Sequence, residues 1–267
     1  MVKKIFAKCY IWLILLIMYA PILTLFVFSF TESKNIGSWT GFSFRLYLDM
    51  FKNEEIMTAL LNTILIAVSS ALVSTVIGTL GAIGIFYSKK KTKKAFDMIG
   101  QIPVMNAEIV TAISLTILFV FFGVKFNFVT LLIGHVVLTI PFVVLSVTPK
   151  LKQLDPNIYE AALDLGATPK KALWGVVIPE ILPGIFSGFM LSITLSLDDY
   201  IITAFTRDNS FSTLSTYVYG ATAKKGALPP TLRALSTILT LIILVVLLII
   251  NAKTKNQATI KRHKDVR

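Results

Sequence analysis

The stretch Asp155-Pro156-Asn157-Ile158-Tyr159-Glu160-Ala161-Ala162-Leu163-Asp164-Leu165-Gly166-Ala167-Thr168-Pro169-Lys170-Lys171-Ala172-Leu173-Trp174-Gly175-Val176-Val177-Ile178-Pro179 is a polar island in an apolar chain. Its local physics predicts two short helices around a turn. Asp155 is a good N-cap and Pro156 suits the first helical position. Ile158, Ala161, Ala162 and Leu165 fall on one helical face. Gly166 suits the left-handed position that ends a helix. Thr168 and Pro169 repeat the start signal, and Pro179 is expected to end the second helix.

Outside this hairpin the chain is apolar over lengths that no soluble helix needs. Of 267 residues 55% are hydrophobic and 15% charged, and the mean hydropathy is +0.77. A bilayer core about 30 Å thick needs ~20 consecutive apolar residues to span it. Cys9 to Thr31, Ile56 to Ser88 and Phe126 to Pro149 each reach that length without an acidic or basic lysine, arginine, aspartate or glutamate. The first run is too long for a signal peptide and lacks a small-x-small cleavage site, so an uncleaved helix is expected. The reading is an all-α polytopic membrane protein with six spans, at about 8–30, 58–87, 103–123, 127–147, 181–205 and 233–252. Glu108, Asp198 and Asp199 interrupt the third and fifth. Residues 1–252 form one transmembrane domain, and 253–267 a polar, basic tail.

The net charge of +12 would suggest nucleic acid in a soluble protein. Here the basic residues sit between apolar runs. Lys3, Lys4 and Lys8, then Lys89 to Lys94, then Lys150, Lys152, Lys170 and Lys171, then the tail from Lys253 onward all lie on one side of the six-span scheme. They make up the larger share of the 26 Lys and Arg residues. That side should face the cytoplasm, with both termini inside. The single cysteine, Cys9, excludes an intrachain disulfide and a multi-cysteine metal site, and reads as a small packing residue. In the second span Ser70, Ser74, Gly78 and Ala82 recur every four residues, a stripe that lets another helix approach closely. His135, alone in an apolar run, reads as a hydrogen bonder between packed helices.

The hairpin resembles the Glu-Ala-Ala motif of bacterial ABC importer permeases: Glu160-Ala161-Ala162, then Gly166, then nine residues and Val176-Val177-Ile178-Pro179. The resemblance implies the type I ABC importer permease fold, with the hairpin as the coupling helix docked in a groove of a cytoplasmic ATPase. Ala161, Ala162 and Gly166 would allow close docking, and Glu160 would reach a basic partner group. Leu61-Asn62-Thr63-Ile64 is similar to the start of the same span in such permeases. Leu195-Ser196-Leu197-Asp198-Asp199-Tyr200 and Pro103-Val104-Met105-Asn106-Ala107-Glu108 resemble the second permease subunit of spermidine/putrescine importers. That implies a homologous permease partner, two ATPase subunits, an extracytoplasmic polyamine-binding protein and a place in the bacterial cell membrane.

The chain has no Gly-x-x-x-x-Gly-Lys-Ser/Thr loop, so ATP binding is assigned to a partner, and no cofactor is expected here. No catalytic constellation is visible, and the expectation is a transport subunit rather than an enzyme. Its substrate path is read from charge. A charged group at a helix centre costs roughly 2.5–3.5 kcal/mol, so Glu108, Asp198 and Asp199 are near an interface, paired, or beside water. No Lys or Arg is expected inside a span to pair with them. Acids in a cavity attract a cationic polyamine, and aromatic faces such as Tyr200, Phe205, Phe119 and Phe122 add cation–π attraction. The competing reading makes Asp198 and Asp199 caps at a kink. Rival functions are a permease for another solute, such as iron, thiamine, sulfate or an amino acid, and a cation-coupled secondary carrier. The docking hairpin argues against the carrier.

Overall fold

The computed structural model describes residues 2–33, 38–155, 157–225 and 229–241. Four described helices are long and apolar enough to cross a membrane, or five if one bent pair makes a span. The described helices follow the order α1 (Val2–Phe28), α2 (Arg45–Lys52), α3 (Glu54–Phe86), α4 (Lys90–Met105), α5 (Glu108–Phe121) and α6 (Phe128–Gln153). Then come α7 (Ile158–Asp164), α8 (Pro169–Ala172), a π-turn (Leu173–Val177), α9 (Ile178–Asp198), α10 (Ile201–Thr206), α11 (Leu214–Lys225) and α12 (Thr231–Leu241). The expected sixth span, 233–252, lies in part outside the described residues, and the tail 253–267 wholly so.

Two compact units are separable, one from residues 1–57 and 218–267 and one from 58–217. In the first, α1 turns its apolar side chains, Trp12 and Cys9 among them, out of the chain. Cys9 therefore does not pack inside the subunit. After α1, Phe30 stacks on Phe42 at 5.4 Å and meets Phe44 and Tyr47. Arg233 sits fully buried inside α12, and its Nη1 donates to the Ser33 carbonyl at 3.1 Å. A basic residue thus does lie within the apolar segments, against expectation. Its guanidinium can enter because a chain carbonyl takes one of its donors.

The second unit is built around α6 and α9. Gly188 lets α9 come so close to α6 that an added Cβ would lie 3.2 Å from the Val143 Cα. From the other side Gly78 of α3 allows an equally close approach, its hypothetical Cβ 2.7 Å from the Val143 Cβ. Ser70, Ser74 and Ala82 are buried on the same stripe, as small-residue packing requires. Toward one end, Ala82, Ile83, Val143, Val147, Leu151, Val177 and Ile181 form the apolar core.

Three expected boundaries move. The third span breaks at Asn106 and Ala107, where α4 and α5 meet at 102°. Alone, α5 has 14 residues, about 21 Å at 1.5 Å each. The fifth span breaks at Asp199-Tyr200, between α9 and α10. Pro179 does not stop the second hairpin helix: helix continues from Pro169 to Asp198. A proline lacks the N–H and crowds the carbonyl four residues back, here Gly175. The wider π-turn over Leu173–Val177 takes up that mismatch just before it.

Candidate functional site

Two places carry the chemistry that the sequence singled out, a hairpin on the surface of the second unit and a polar cluster inside it. The hairpin starts later than expected. Asn157 rather than Asp155 precedes α7, while Asp155 Oδ1 accepts from the Asn157 N–H at 2.9 Å and its carbonyl from the Ile158 N–H at 3.1 Å. Pro156 lies outside the described residues. At the other end Gly166 has φ +85°, and the N–H groups of Gly166 and Ala167 return to the Leu163 and Ala162 carbonyls at 2.9 and 3.0 Å. This is the Schellman arrangement that a left-handed glycine makes. Thr168 caps α8 by accepting from the Lys171 N–H at 3.3 Å, with Pro169 in the first turn.

The face that anchors the hairpin differs from the expected one. Ile158, Tyr159, Ala162 and Leu163 are half-buried. The Tyr159 ring lies 5.3 Å from that of Tyr87, at the end of α3. Glu160, Ala161, Asp164 and Gly166 are exposed instead, and Leu165 is 89% exposed at the tip. Residues three and four apart share a face, so anchoring through Tyr159, Ala162 and Leu163 turns Ala161 and Leu165 outward. Leu165 is a docking candidate that the sequence reading missed. Its apolar character had marked it as inward, and only its exposure reveals it.

The polar cluster surrounds the break between α9 and α10. Asp199 is buried, and its carboxylate caps α10: Oδ1 accepts from the Ile202 N–H at 3.1 Å, and Oδ2 from the Thr203 N–H and Oγ1 at 2.7 Å each. The Asp199 carbonyl accepts from Ser215 Oγ at 2.6 Å. The opposite end of α10 is closed by threonines of other helices. Thr116 of α5 donates to the Phe205 carbonyl at 3.0 Å, and Thr130 of α6 to the Thr206 carbonyl at 2.9 Å. Six residues are too few to hold a helix by themselves. These side chains supply what local sequence does not.

His135 of α6 is fully buried beside the break. Nδ1 is 2.7 Å from Ser196 Oγ of α9, and Nε2 is 2.9 Å from Thr203 Oγ1 and 3.5 Å from Asp199 Oδ2. Ser70 of α3 donates to Ser196 at 3.1 Å. The expected packing histidine is thus the centre of a network that joins α3, α6, α9 and α10.

Asp198 is exposed, in contrast to Asp199. Glu108, at the start of α5, is half-buried, and its carboxyl neighbours those of Asp199 and Asp198. Glu108 also lines a cavity of about 200 Å³ together with Asn106, Thr111, Leu138, Phe142 and Leu195. The three acids named from sequence therefore come together. Tyr200, half-buried, is the first residue after them. The aromatics fare differently. Phe119 packs on Phe126 at 6.4 Å, and Phe122 is exposed beyond the far end of α5, so neither meets Glu108. The aromatic in the cavity is Phe142, from a helix that the sequence reading had not linked to Glu108. No group of three His, Cys, Asp or Glu residues suited to a metal ion occurs among the described residues.

Comparison with known proteins sets these features in a family. Residues 74–257 match the profile of the binding-protein-dependent transport system inner membrane component. The chain is 34% identical over 242 residues to the spermidine/putrescine transport system permease protein PotC of Escherichia coli (strain K12), covering 89% of this chain and 91% of that one. To the putrescine transport system permease protein PotI of the same strain it is 31% identical over 229 residues, covering 83% and 81%. Among solved structures it is similar to a chain of a bacterial ABC transporter involved in the import of the acidic polysaccharide alginate. The TM-score there is 0.70 at 16% identity, over 94% of this chain and 96% of that one. A chain of an amino acid ABC transporter gives 0.55 at 18% identity, over 78% and 95%. At such identities the structural likeness speaks for the fold alone. Long apolar helices, a helix–glycine–helix element between two of them and a matched profile over most of the length converge, and the chain belongs to the family of binding-protein-dependent transport system inner membrane components.

Proposed function

We propose that this chain is the membrane-spanning permease subunit of an ATP-driven importer for polyamines such as spermidine and putrescine. In this reading it crosses the cell membrane six times with both termini in the cytoplasm and pairs with a homologous permease around one path. Two cytoplasmic ATPases bind beneath and hydrolyse the ATP. An extracytoplasmic polyamine-binding protein delivers substrate from above. Glu160, Ala161 and Gly166, with Leu165 at the tip, form the face that docks on an ATPase and transmits its closure, while Ala162 of the same motif lies on the half-buried anchoring face.

The observation that carries the substrate assignment is the gathering of Glu108, Asp198 and Asp199 beside a cavity that also holds Phe142. A polyamine presents several ammonium groups on an apolar stem. Carboxylates would take the ammonium groups and Phe142 would add cation–π attraction. Glu108 and Asp198 are the better direct partners, because both oxygens of Asp199 already accept from α10. Tyr200 stands next to them as a second aromatic. Relatives that transport spermidine and putrescine support the same choice.

The test is uptake of labelled spermidine by the reconstituted complex with Glu108→Gln and Asp198→Asn, which keep shape and remove charge. A charge-assisted hydrogen bond contributes ~1.5–3 kcal/mol, so each variant should lower transport roughly ten- to a hundredfold. Transport at the parental rate by both variants would remove the polyamine assignment.

A further inference from the structure

We propose that His135 is a positioning residue for the substrate path, fastening the break between α9 and α10 through Thr203 so that Asp198 is held facing Glu108. The inference rests on the reading of Glu108 and Asp198 as cation-binding groups.

The direction of each hydrogen bond follows from what the groups can do. Asp199 Oδ2 accepts from the Thr203 hydroxyl at 2.7 Å, which uses that hydroxyl's one proton. At 2.9 Å from His135 Nε2, Thr203 Oγ1 must then accept, so the ring proton sits on Nε2. Nδ1 is left as an acceptor, and the Ser196 hydroxyl at 2.7 Å fills it. Ser196 Oγ in turn accepts from Ser70. Every donor finds an acceptor in a chain that runs Ser70, Ser196, His135, Thr203, Asp199. Ser196 lies just before the break and Thr203 just after it, so one imidazole ring spans the interruption and grips both sides. Asp198 is the last residue of α9, between those two grips. The titratable groups around this chain are Glu108 from α5, Asp198 and Asp199 from the break, and His135 itself.

A network of this kind has a signature that packing alone lacks. Valine copies the shape of threonine without its hydroxyl, whereas serine keeps the hydroxyl and loses a methyl group. In the complete reconstituted complex, Thr203→Val should lower spermidine uptake about tenfold. Thr203→Ser should retain half or more. Complex recovery and ATP hydrolysis without substrate should stay near parental in both. If Thr203 serves only packing, the order reverses, and that result overturns the proposal, as does parental uptake by Thr203→Val. Should Thr203→Val fail to assemble, His135→Gln against His135→Leu carries the same comparison. Glutamine can still donate to Thr203, so it should outperform leucine, and equal loss in both overturns the inference. Parental uptake by Glu108→Gln and Asp198→Asn removes the cation-binding reading and this proposal with it. Impaired uptake there, with a normal Thr203→Val, removes the positioning role alone.

Discussion

The chain interrupts a helix at Gly166 and again at Asp199-Tyr200, by opposite physical means. At Gly166 the turn is exposed and self-contained. A residue without Cβ takes φ +85°, two backbone N–H groups return to their own helix, and Thr168 starts the next helix three residues before its partner Lys171. At Asp199 the break is buried, and among the described residues positive φ occurs only at Gly41, Gly123 and Gly166, none of them there. A carboxylate takes the place of the missing carbonyls for α10, and helices distant in sequence hold the rest. The first kind of break can move as a unit on a surface. The second is tied into four helices and can change only if they do. That contrast fits the docking element and the substrate path proposed above.

The contrast yields graded expectations. The largest effect should follow Asp199→Ala. It strips the acceptor from the N–H groups of Ile202 and Thr203 and from the Thr203 hydroxyl. Each buried donor left unsatisfied costs ~1–3 kcal/mol, so the recovery of intact complex after detergent extraction should fall sharply. Parental recovery would show that the buried break tolerates what only an exposed one should.

Gly166→Val comes next. A β-branched residue in the left-handed region costs about 1–2 kcal/mol locally, and it distorts the tip that carries Leu165. Membrane insertion should survive while uptake and co-purification of the ATPase are lost. Gly166→Asn, which tolerates the left-handed region better, should keep most of both. In the proposed docking, Glu160→Lys should likewise leave the chain inserted and abolish uptake, by setting a like charge against the basic group expected of the ATPase. Normal uptake by both Gly166→Val and Glu160→Lys would sever the hairpin from coupling.

The smallest effect should come from Thr168→Ala, which removes one cap from an exposed helix start. A loss of about 1 kcal/mol is expected, read as a slight drop in thermal stability with uptake retained. A collapse like that of Asp199→Ala would mean that the hairpin is not the local structure its hydrogen bonds describe.

What could be read in advance divides along the same line. The apolar runs, the small-residue stripe at Ser70, Ser74, Gly78 and Ala82, and the glycine turn at Gly166 were legible because each depends on neighbours within one or two helical turns. Glu108, Asp198 and Asp199 were legible as candidates because charge in an apolar run is costly wherever it points. Their division of labour was not. Asp199 becomes a buried cap and Asp198 stays open because His135, 64 residues earlier, and Thr203 reach one of them and not the other. Likewise, Tyr159 decides which face of α7 is covered and leaves Leu165 outside, since the deciding contact is Tyr87, just beyond the end of α3. By itself the sequence determined that this is a helical membrane protein with a helix–glycine–helix hairpin, because hydropathy, capping and left-handed glycine act over short range. The tertiary structure alone decided where the fifth span breaks, which aspartate is buried as a cap and which leucine is left outside, because those outcomes depend on hydrogen bonds and packing between segments far apart along the chain.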